Sequence, residues 1–208
     1  MALTNYTELK AAVASWLKDS SLTTQIVDFI ALGEARISAE LRVRAMETAG
    51  TLTTVAGTAT VALPANFRAF KWLYVDGDPR RKLDVSSGEQ IYQTYAGATT
   101  SKPALYSFSG DNLLLSPTPD SAYTLGYLAY IAPTPLSGST ATNTLFPRYA
   151  YLYLYAALIE AWNYLEDDAQ VLKFEKLYQR FLTIARNEDE MDRHSGSTLV
   201  VRPGMRTP

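Results

Sequence analysis

Apolar residues recur with a helical period at both ends of this 208-residue chain and with a period of two in its middle. Helical spacing covers residues 1–48 and 145–192, alternation covers 50–131, and a loop rich in Pro, Thr, Ser and Gly lies between them at 132–144. These periods indicate amphipathic helices and half-buried strands, respectively. We therefore predict an α+β fold with an N-terminal helix pair, a central antiparallel sheet or sandwich of about seven short strands, and a C-terminal αα-hairpin.

The N-terminal segment is predicted to form two helices. Asn5, followed three residues later by Glu8, is a capping-box pattern, and apolar residues then recur at helical spacing as far as Lys18. A second helix is expected from Thr24 to Arg44. Its apolar stripe includes Gly33, although glycine costs about 1 kcal/mol relative to alanine inside a helix. We expect another backbone to approach closely at Gly33, and the alternative is a tolerated glycine on a partly exposed face.

The C-terminal segment is predicted to form two antiparallel helices. The first, around Tyr149–Trp162, is apolar nearly all round, so it must be covered nearly all round. Asp167 and Gln170 are expected to cap the second helix, whose apolar stripe ends at Glu188–Glu190. The short connection between them is typical of an αα-hairpin.

Two pairs of alternating runs in the middle of the chain are each separated by a glycine-containing dipeptide, Ala56-Gly57 and Gly110-Asp111. Both pairs are predicted to be β-hairpins. The paired runs are Thr51–Val55 with Thr58–Leu63, and Leu105–Ser109 with Asn112–Ser116.

Three aromatic residues alternate along another run, Phe70, Trp72 and Tyr74. Because alternate residues of a strand share a face, we expect these three rings on one face, turned toward the core. A short helix is expected from Ser86 to Tyr95, capped by Ser86, and a last strand from Tyr123 to Ile131.

The sequence contains few residues suited to catalysis or metal binding. It has no cysteine, and its one histidine, His194, lies in a C-terminal segment where no third group is expected to orient it. The carboxylates at 188–190 and 192 are consecutive on a helix end, so we expect a solvated face and no cation site. We predict no catalytic residue, no metal, no cofactor and no enzymatic activity; a hydrolase with an unrecognised site is a remote alternative.

Charge is nearly balanced over the chain but uneven along it. There are 19 basic and 21 acidic residues, which gives a net charge of −2 and no strong field for holding nucleic acid. Residues 193–208 contain three basic residues and no acidic ones, so we expect an extended basic arm outside a single domain at 1–192. The basic triplet Arg80–Lys82 is expected on a solvated hairpin rim, with contact to phosphate or to an acidic neighbour as the alternative. No signal peptide or membrane span is expected, which predicts a soluble protein that is cytosolic when synthesised.

Six stretches together resemble the head-to-tail adaptor proteins of tailed bacteriophages, particularly short-tailed phages. They occur in the order of that family and extend over most of the chain. The stretches are Leu3–Leu9, Phe29–Ile37, Ala62–Phe67, Asn112–Pro119, Tyr151–Ala161 and Leu165–Asp168.

The resemblance implies a structural component of the virion at the junction of head and tail, assembled in the host cytoplasm. Such adaptors form a ring, usually of twelve copies, beneath the portal protein. The ring extends the DNA channel without binding the DNA specifically, completes the filled head, and presents a surface to the tail nozzle or fibres. The family has no catalytic residues, no cofactor and no membrane partner.

The ring hypothesis assigns roles to two groups of residues. Aromatic residues on the first C-terminal helix are candidates for contacts between neighbouring subunits, because Tyr and Trp are frequent interface anchors; they are Tyr149, Tyr151, Tyr155 and Trp162. The alternative is that this helix is enclosed within its own subunit. The C-terminal arm is predicted to dock on the portal, with the candidates Arg193, Leu199, Val200, Val201, Arg202 and Arg206; a frayed C-terminus is the alternative.

A different class of function is an alternative to the adaptor. A tail-associated carbohydrate-binding domain, or a β-domain of the tail tube or nozzle, fits an alternating, aromatic-rich middle segment. Exposed rings at Trp72 and Tyr74 favour sugar binding, whereas burial of these rings in the core favours the adaptor.

Overall fold

The structure is a computed structural model, which describes residues 3–19, 21–77, 79–94 and 100–194. Within these ranges the chain forms five α-helices and eight β-strands, so the predicted α+β class is confirmed. The helices are α1 (Tyr6–Leu17), α2 (Gln25–Glu40), α3 (Gly88–Thr94), α4 (Phe146–Tyr164) and α5 (Asp168–His194). The strands are β1 (Glu47–Thr53), β2 (Thr60–Ala62), β3 (Phe67–Val75), β4 (Arg81–Lys82), β5 (Asp84–Val85), β6 (Leu105–Ser109), β7 (Asn112–Ser116) and β8 (Thr124–Ile131).

The chain divides into two compact units. The helical unit takes in the residues up to Ala45 and those from Pro133 onward, and it contains α1, α2, α4 and α5. The β unit is Met46–Ala132, and it contains all eight strands and α3. Whether the two units together form the single domain expected over 1–192 stays a prediction.

The helical unit is built around α4. Helices α1, α2 and α5 all pack against α4, and every residue from Leu152 to Ile159 is buried. A helix that is apolar all round needs neighbours on all sides, and three helices of the same chain supply them. Burying a side chain the size of leucine stabilises a fold by about 1.5–3 kcal/mol, so α4 contributes a large share of the stability of this unit.

Gly33 lies where α2 crosses α4. A Cβ atom at Gly33 would be 3.0 Å from the Cβ of Ala156 and 3.0 Å from the backbone nitrogen of Ala157. That separation is shorter than ordinary van der Waals contact, and one of the two atoms belongs to rigid helical backbone. The expected close approach of another backbone at Gly33 is therefore confirmed.

We predict that Gly33→Val lowers the free energy of unfolding by about 1–3 kcal/mol, because the added methyl groups force α2 away from α4. Ala35→Val is the matched control, since Ala35 is exposed on the same helix and loses only a few tenths of a kcal/mol of helix propensity. Chemical denaturation of both variants measures the difference. Equal stability of the two variants would contradict the close-packing role of Gly33.

The predicted start of α1 is confirmed, whereas the predicted end of α2 is wrong. Asn5 Oδ1 accepts the Glu8 amide at 2.9 Å, as the capping pattern requires. Helix α2 ends at Glu40, four residues before the predicted Arg44, because Leu41 adopts an extended conformation. The guanidinium of Arg42 then donates to the carbonyl oxygens of Ser38 (2.7 Å) and Leu41 (2.8 Å), which satisfies acceptors that the ended helix leaves free.

Arg36 links α2 to α5 on the surface of the helical unit. Its guanidinium lies 2.6 Å from the Glu175 carboxylate on α5 and 3.1 Å from Glu40 on its own helix. The same group lies over the ring of Tyr178, 4.6 Å from the ring centre. These partly buried contacts fix the position of α5 along α2.

The β unit contains two four-stranded sheets. The first has the strand order β1-β8-β3-β4 and is antiparallel throughout, and the second has the order β2-β7-β6-β5. The pairing of β5 with β6 is parallel, a departure from the predicted all-antiparallel arrangement. The core of this unit contains buried apolar residues from both sheets, among them Leu73, Leu113 and Leu125.

One of the two predicted hairpins is confirmed. Strands β6 and β7 pair as expected across Gly110, which has a φ of 58°. The prediction of a hairpin across Ala56-Gly57 is wrong, because β1 pairs with β8 and β2 pairs with β7. The Thr54 hydroxyl accepts the Tyr123 amide at 2.8 Å and donates to the Ser121 carbonyl at 3.0 Å, which holds the end of β1 beside β8. The turn at Gly57 therefore passes the chain from one sheet to the other.

Strand β3 is irregular between Phe70 and Trp72, where its register against β8 shifts. Phe70 packs against the buried cluster of the β unit, and after the irregularity Leu73 and Val75 belong to that cluster. Trp72 is 38% exposed, and Tyr74 is half-buried. The expectation that all three alternating aromatic rings share the core face is therefore wrong, because the extra residue reverses the alternation.

Candidate assembly surfaces

The four aromatic residues proposed for subunit contacts differ in how far their own chain covers them. Tyr149 (5% exposed) and Tyr155 (9% exposed) are buried, and Trp162 is half-buried. Tyr151 is 57% exposed. The enclosure of α4 by α1, α2 and α5 explains its apolar character without a neighbouring subunit, so the inter-subunit role of these residues stays a prediction that depends mainly on Tyr151.

Five rings from three helices form a continuous group, which we call the aromatic flank. Its members are Trp16 on α1, Tyr151 and Tyr155 on α4, and Phe174 and Phe181 on α5. Trp16 lies 6.1 Å from Tyr155, centre to centre, and the stacked rings of Tyr151 and Phe181 are 5.6 Å apart. Tyr155 is therefore the buried base of the group, and it holds the outer rings in place.

The aromatic flank exposes large apolar surface at two points. Trp16 is 46% exposed and Tyr151 is 57% exposed, and Ile184, three residues after Phe181 on α5, is 38% exposed. Rings held by neighbouring rings lose little side-chain entropy on binding, which suits them to anchor an interface. Trp16 is one of the apolar residues that recur at helical spacing in α1, and no local pattern showed that its ring would be half-exposed.

The predicted arm begins after the described part of the chain, with one exception. Leu199, Val200, Val201, Arg202 and Arg206 lie outside the described residues. Arg193 lies in the last turn of α5, where its Nε donates to Asp189 Oδ2 at 2.7 Å. Helix α5 thus continues through residue 194, beyond the expected limit of 192, and the side chain of His194 also lies outside the described residues.

The acidic end of α5 is solvated at Glu188, Glu190 and Asp192, as the sequence predicted, but not at Asp189. Asp189 is only 5% exposed, and its carboxylate accepts the backbone amide of Arg44 at 2.6 Å. Asp192 lies 2.6 Å from the guanidinium of Arg148 at the start of α4. That contact holds the pKa of the Asp192 carboxyl below its usual value. The cluster therefore joins three separate segments of the helical unit, which the helix pattern alone could not show.

We predict that Asp189→Ala lowers the free energy of unfolding by about 1–3 kcal/mol, because the Arg44 amide loses the buried carboxylate that accepts its hydrogen bond and the ion pair with Arg193 is lost. Glu190→Ala is the control: Glu190 is the next residue along the same helix and is exposed, so its removal should change stability by no more than about 0.5 kcal/mol. Urea denaturation followed by circular dichroism measures both. A stability unchanged in Asp189→Ala would show that the cluster is solvated after all.

Glu34 is a partly buried carboxylate on α2 that the sequence did not single out. Its two oxygens accept the backbone amide of Leu136 at 3.0 and 3.1 Å. Burial raises the pKa of Glu34 from 4.5 to about 7, and the Leu136 hydrogen bond opposes this shift. The carboxylate therefore anchors the loop that precedes α4.

Two further contacts hold the same loop in the helical unit. The amide of Tyr6 donates to the Ala141 carbonyl at 2.8 Å, which connects the loop to the start of α1. Asn143 Oδ1 accepts the amides of Leu145 (3.1 Å) and Phe146 (2.9 Å), so it caps α4. A segment that the sequence indicated only as a linker is thus attached to three helices.

We predict that the free energy of unfolding falls between about pH 5 and pH 8, because the Glu34 carboxyl ionises in the folded protein over this range. In the folded protein the Glu34 carboxyl keeps its proton up to about pH 7, whereas in the unfolded chain it releases the proton near pH 4.5. The contribution of the protonated carboxyl to stability is therefore fully present below pH 4.5 and is lost as the pH rises through about 7. The expected loss over this interval is about 1–2 kcal/mol, because the partial exposure of the carboxyl reduces the effect. Urea denaturation at pH 5 and pH 8 measures it.

Glu34→Gln should remove this component of the pH dependence, because an amide does not titrate. Glu190→Gln, at an exposed position, should keep the pH dependence of the parent protein. The assignment to Glu34 is wrong if both variants follow the parent curve.

In the β unit, Trp72 and Tyr74 form a stacked pair outside the core, with ring centres 5.2 Å apart. Arg80 lies over the Tyr74 ring at 5.0 Å, and a Cβ at Gly126 would overlap the same ring. Tyr74 is therefore half-buried by contacts within its own unit, whereas Trp72 is 38% exposed.

The basic triplet lies along the edge of the first sheet. Arg80 pairs with Asp76 at 3.1 Å and Lys82 lies 3.8 Å from Asp84, and all three basic side chains are exposed. Exposed ion pairs of this kind each contribute roughly 0–1 kcal/mol to stability. The solvated rim predicted for this triplet agrees with its exposure.

An open cleft of about 560 Å³ lies at one end of the β unit. Leu63, Phe67 and Phe108 supply apolar walls, and Asn66 and Asp111 supply polar groups. The Leu63 amide donates to the Asp111 carbonyl, so the cleft lies between the β6–β7 turn and the segment that leads into β3. Its lining contains one carboxylate, Asp111, and no second titratable group. The cleft therefore does not provide a pair of groups for general acid–base catalysis.

In the described part of the chain, no three His, Asp or Glu side chains come together in a way that could hold a metal ion. None of the described helices is long and apolar enough to cross a membrane.

A family model described as "SU10 adaptor protein" matches residues 4–202, which is nearly the whole chain. No curated protein matches the chain. The match includes the helical unit, the β unit and most of the segment that follows α5. The chain belongs to the SU10 adaptor protein family and is a structural adaptor protein of a bacteriophage.

Proposed function

We propose that this protein is the head-to-tail adaptor of its phage, forming a ring of about twelve copies beneath the portal. The ring extends the DNA channel, completes the filled head, and provides the attachment surface for the tail nozzle or fibres. The observation that carries the proposal is the family match over residues 4–202. The particle incorporates the protein at the head–tail junction after synthesis in the host cytoplasm.

The aromatic flank supports a contact between neighbouring copies. In a ring, each copy presents one surface to the neighbour on one side and a different surface to the other. Trp16 and Tyr151 are exposed on a firmly packed base, the arrangement found in interface hot spots. Tyr149, Tyr155 and Trp162 then act by supporting the exposed rings and the helix that bears them.

The charge of the chain supports a passive channel. Each phosphate that a protein neutralises adds salt-dependent affinity, and strong affinity would slow DNA during packaging and ejection. A net charge of −2 over 208 residues is consistent with a conduit that does not hold its cargo. The portal, the tail proteins and the neighbouring copies are the partners in this proposal, and DNA passes without specific binding.

We predict that deleting residues 195–208 abolishes attachment to the portal while the unfolding transition is retained. The deletion removes Leu199–Val201, Arg202 and Arg206, which on this proposal order on the portal by adding a strand and pairing with acidic groups. Electron microscopy of purified portal mixed with the truncated protein counts the portals that have a ring.

Removing only Thr207 and Pro208 is the matched control and should leave ring attachment unchanged. A truncated protein that still occupies portals as often as the full chain would exclude the arm as the docking element. Particles that place the full-length protein away from the head–tail junction would refute the adaptor function itself.

Carbohydrate binding by the β unit is the less favoured alternative. Sugar-binding shelves usually need several open aromatic faces side by side, whereas Tyr74 is half-buried in contact with Arg80 and Gly126. Trp72 is 38% exposed and stacks on Tyr74, whereas the more exposed Phe108 (47%) contacts a different set of rings, Phe67, Phe70 and Tyr106. Exposed rings in separate groups are weak support beside a family match over nearly the whole chain.

A further inference from the structure

Strand β1 is an unprotected edge of the first sheet. It has seven residues, and it pairs only with β8 in the described structure. Natural proteins protect long edges with proline, lysine or a bulge, but Glu47–Thr53 contains no proline and no lysine and pairs with β8 in unbroken register. Every second residue from Ala49 to Thr53 is exposed. The other edge strands, β2, β4 and β5, have only two or three residues each.

The open side of β1 has hydrogen-bonding groups available. The Thr54 amide donates to the Tyr123 carbonyl on β8 at 3.0 Å. In an antiparallel ladder successive amides point to opposite sides, so the amides of Ala49, Thr51 and Thr53 point away from β8. These three groups are positioned to pair with an added strand.

The opposite edge of the same sheet is also open. It is strand β4 (Arg81–Lys82), and both of its side chains are exposed. The Leu83 amide donates to Leu73 on β3 at 3.0 Å, which by the same alternation turns the amide of Lys82 outward.

Strand directions make these two edges compatible between copies. The sheet has four strands, and each runs antiparallel to its neighbour. An even number of strands gives the two edges opposite directions. Copies related by rotation about an axis along the strands would therefore bring β1 and β4 together antiparallel, the more stable pairing. The two edges also differ in charge sign, since β1 contains one acidic residue whereas β4 consists of two basic residues.

We propose that β1 of one copy pairs with β4 of the next copy, so that the four-stranded sheets join into one continuous sheet around the ring. This inference rests on the proposed ring, and it identifies one pair of surfaces through which neighbouring copies of the ring contact each other. Such a contact is heterologous, as a closed ring requires. It protects the long edge at β1, which the described part of the chain leaves open.

Cysteine cross-linking tests the pairing directly, because the chain contains no cysteine of its own. Three double variants combine Lys82→Cys with Ala49→Cys, Thr51→Cys or Thr53→Cys, which covers the possible registers. Within one copy β1 and β4 are separated by two strands, a distance of about 14 Å, whereas a disulfide needs Cα atoms within about 7 Å. Any disulfide between these positions therefore joins two copies.

The expected result is that rings assembled on portal and then oxidised give a ladder of covalent species larger than a dimer in at least one double variant. The single variants Thr51→Cys and Lys82→Cys should give no ladder. A covalent dimer of Thr51→Cys alone would indicate β1–β1 pairing and would overturn the proposal. Rings visible by electron microscopy without a ladder in any double variant would overturn it while leaving the adaptor function intact. Absence of both the rings and the ladder would refute both the edge pairing and the proposed adaptor ring.

A backbone variant provides an independent measurement. Thr51→Pro removes one outward amide, a change that edge strands tolerate, and should lower the fraction of ring-bearing portals by about tenfold or more. Thr51→Val keeps the amide and the β-branched shape and should assemble normally. Circular dichroism and thermal unfolding establish that both variants are folded. Normal rings from folded Thr51→Pro would contradict the pairing.

Discussion

The enclosure of α4 is the constraint on which the helical unit depends. A helix without a polar face cannot remain in water, so the positions of α1, α2 and α5 follow from the need to cover it. Gly33 allows α2 to approach the α4 backbone, and the rings of Tyr155 and Phe174 fill the space on the side of α5. Because this covering is nearly complete within one chain, little of α4 remains for other molecules. Tyr151 (57% exposed) and Tyr164 (58% exposed) are the main exceptions, and the Tyr151 ring gains importance because it belongs to the aromatic flank.

Features determined by neighbouring residues could be predicted from the sequence. The cap at Asn5, the hairpin across Gly110 and the close approach at Gly33 all follow from local residue patterns, and the structure contains each of them. The α+β class followed from the change of hydrophobic period along the chain. In these cases the physical cause, a capping oxygen, a glycine turn or a missing side chain, lies within a few positions of its effect.

Features that depend on distant partners could not be predicted in this way. The burial of Asp189 requires the amide of Arg44, and the shifted pKa of Glu34 requires the loop at Leu136, in each case about a hundred or more residues away. A run of carboxylates has the same sequence pattern whether it is solvated or paired with such a partner. The same limit explains the wrong hairpin at Gly57, because the choice between sheets is made by Thr54 and Tyr123. One additional residue in β3 was enough to reverse which aromatic rings face the core.

The β unit interrupts the helical unit in sequence, since α1 and α2 precede it and α4 and α5 follow it. On the ribosome, α1 and α2 emerge roughly a hundred residues before the helix they surround, an interval of about 5–20 s at ordinary rates of translation. During that interval their apolar stripes lack α4, the helix against which both of them pack, whereas the β unit already has all its described strands before α4 is made. Nascent chains should therefore acquire a folded centre before the N-terminal helices do, and the first forty residues are where a chaperone has the longest opportunity to bind.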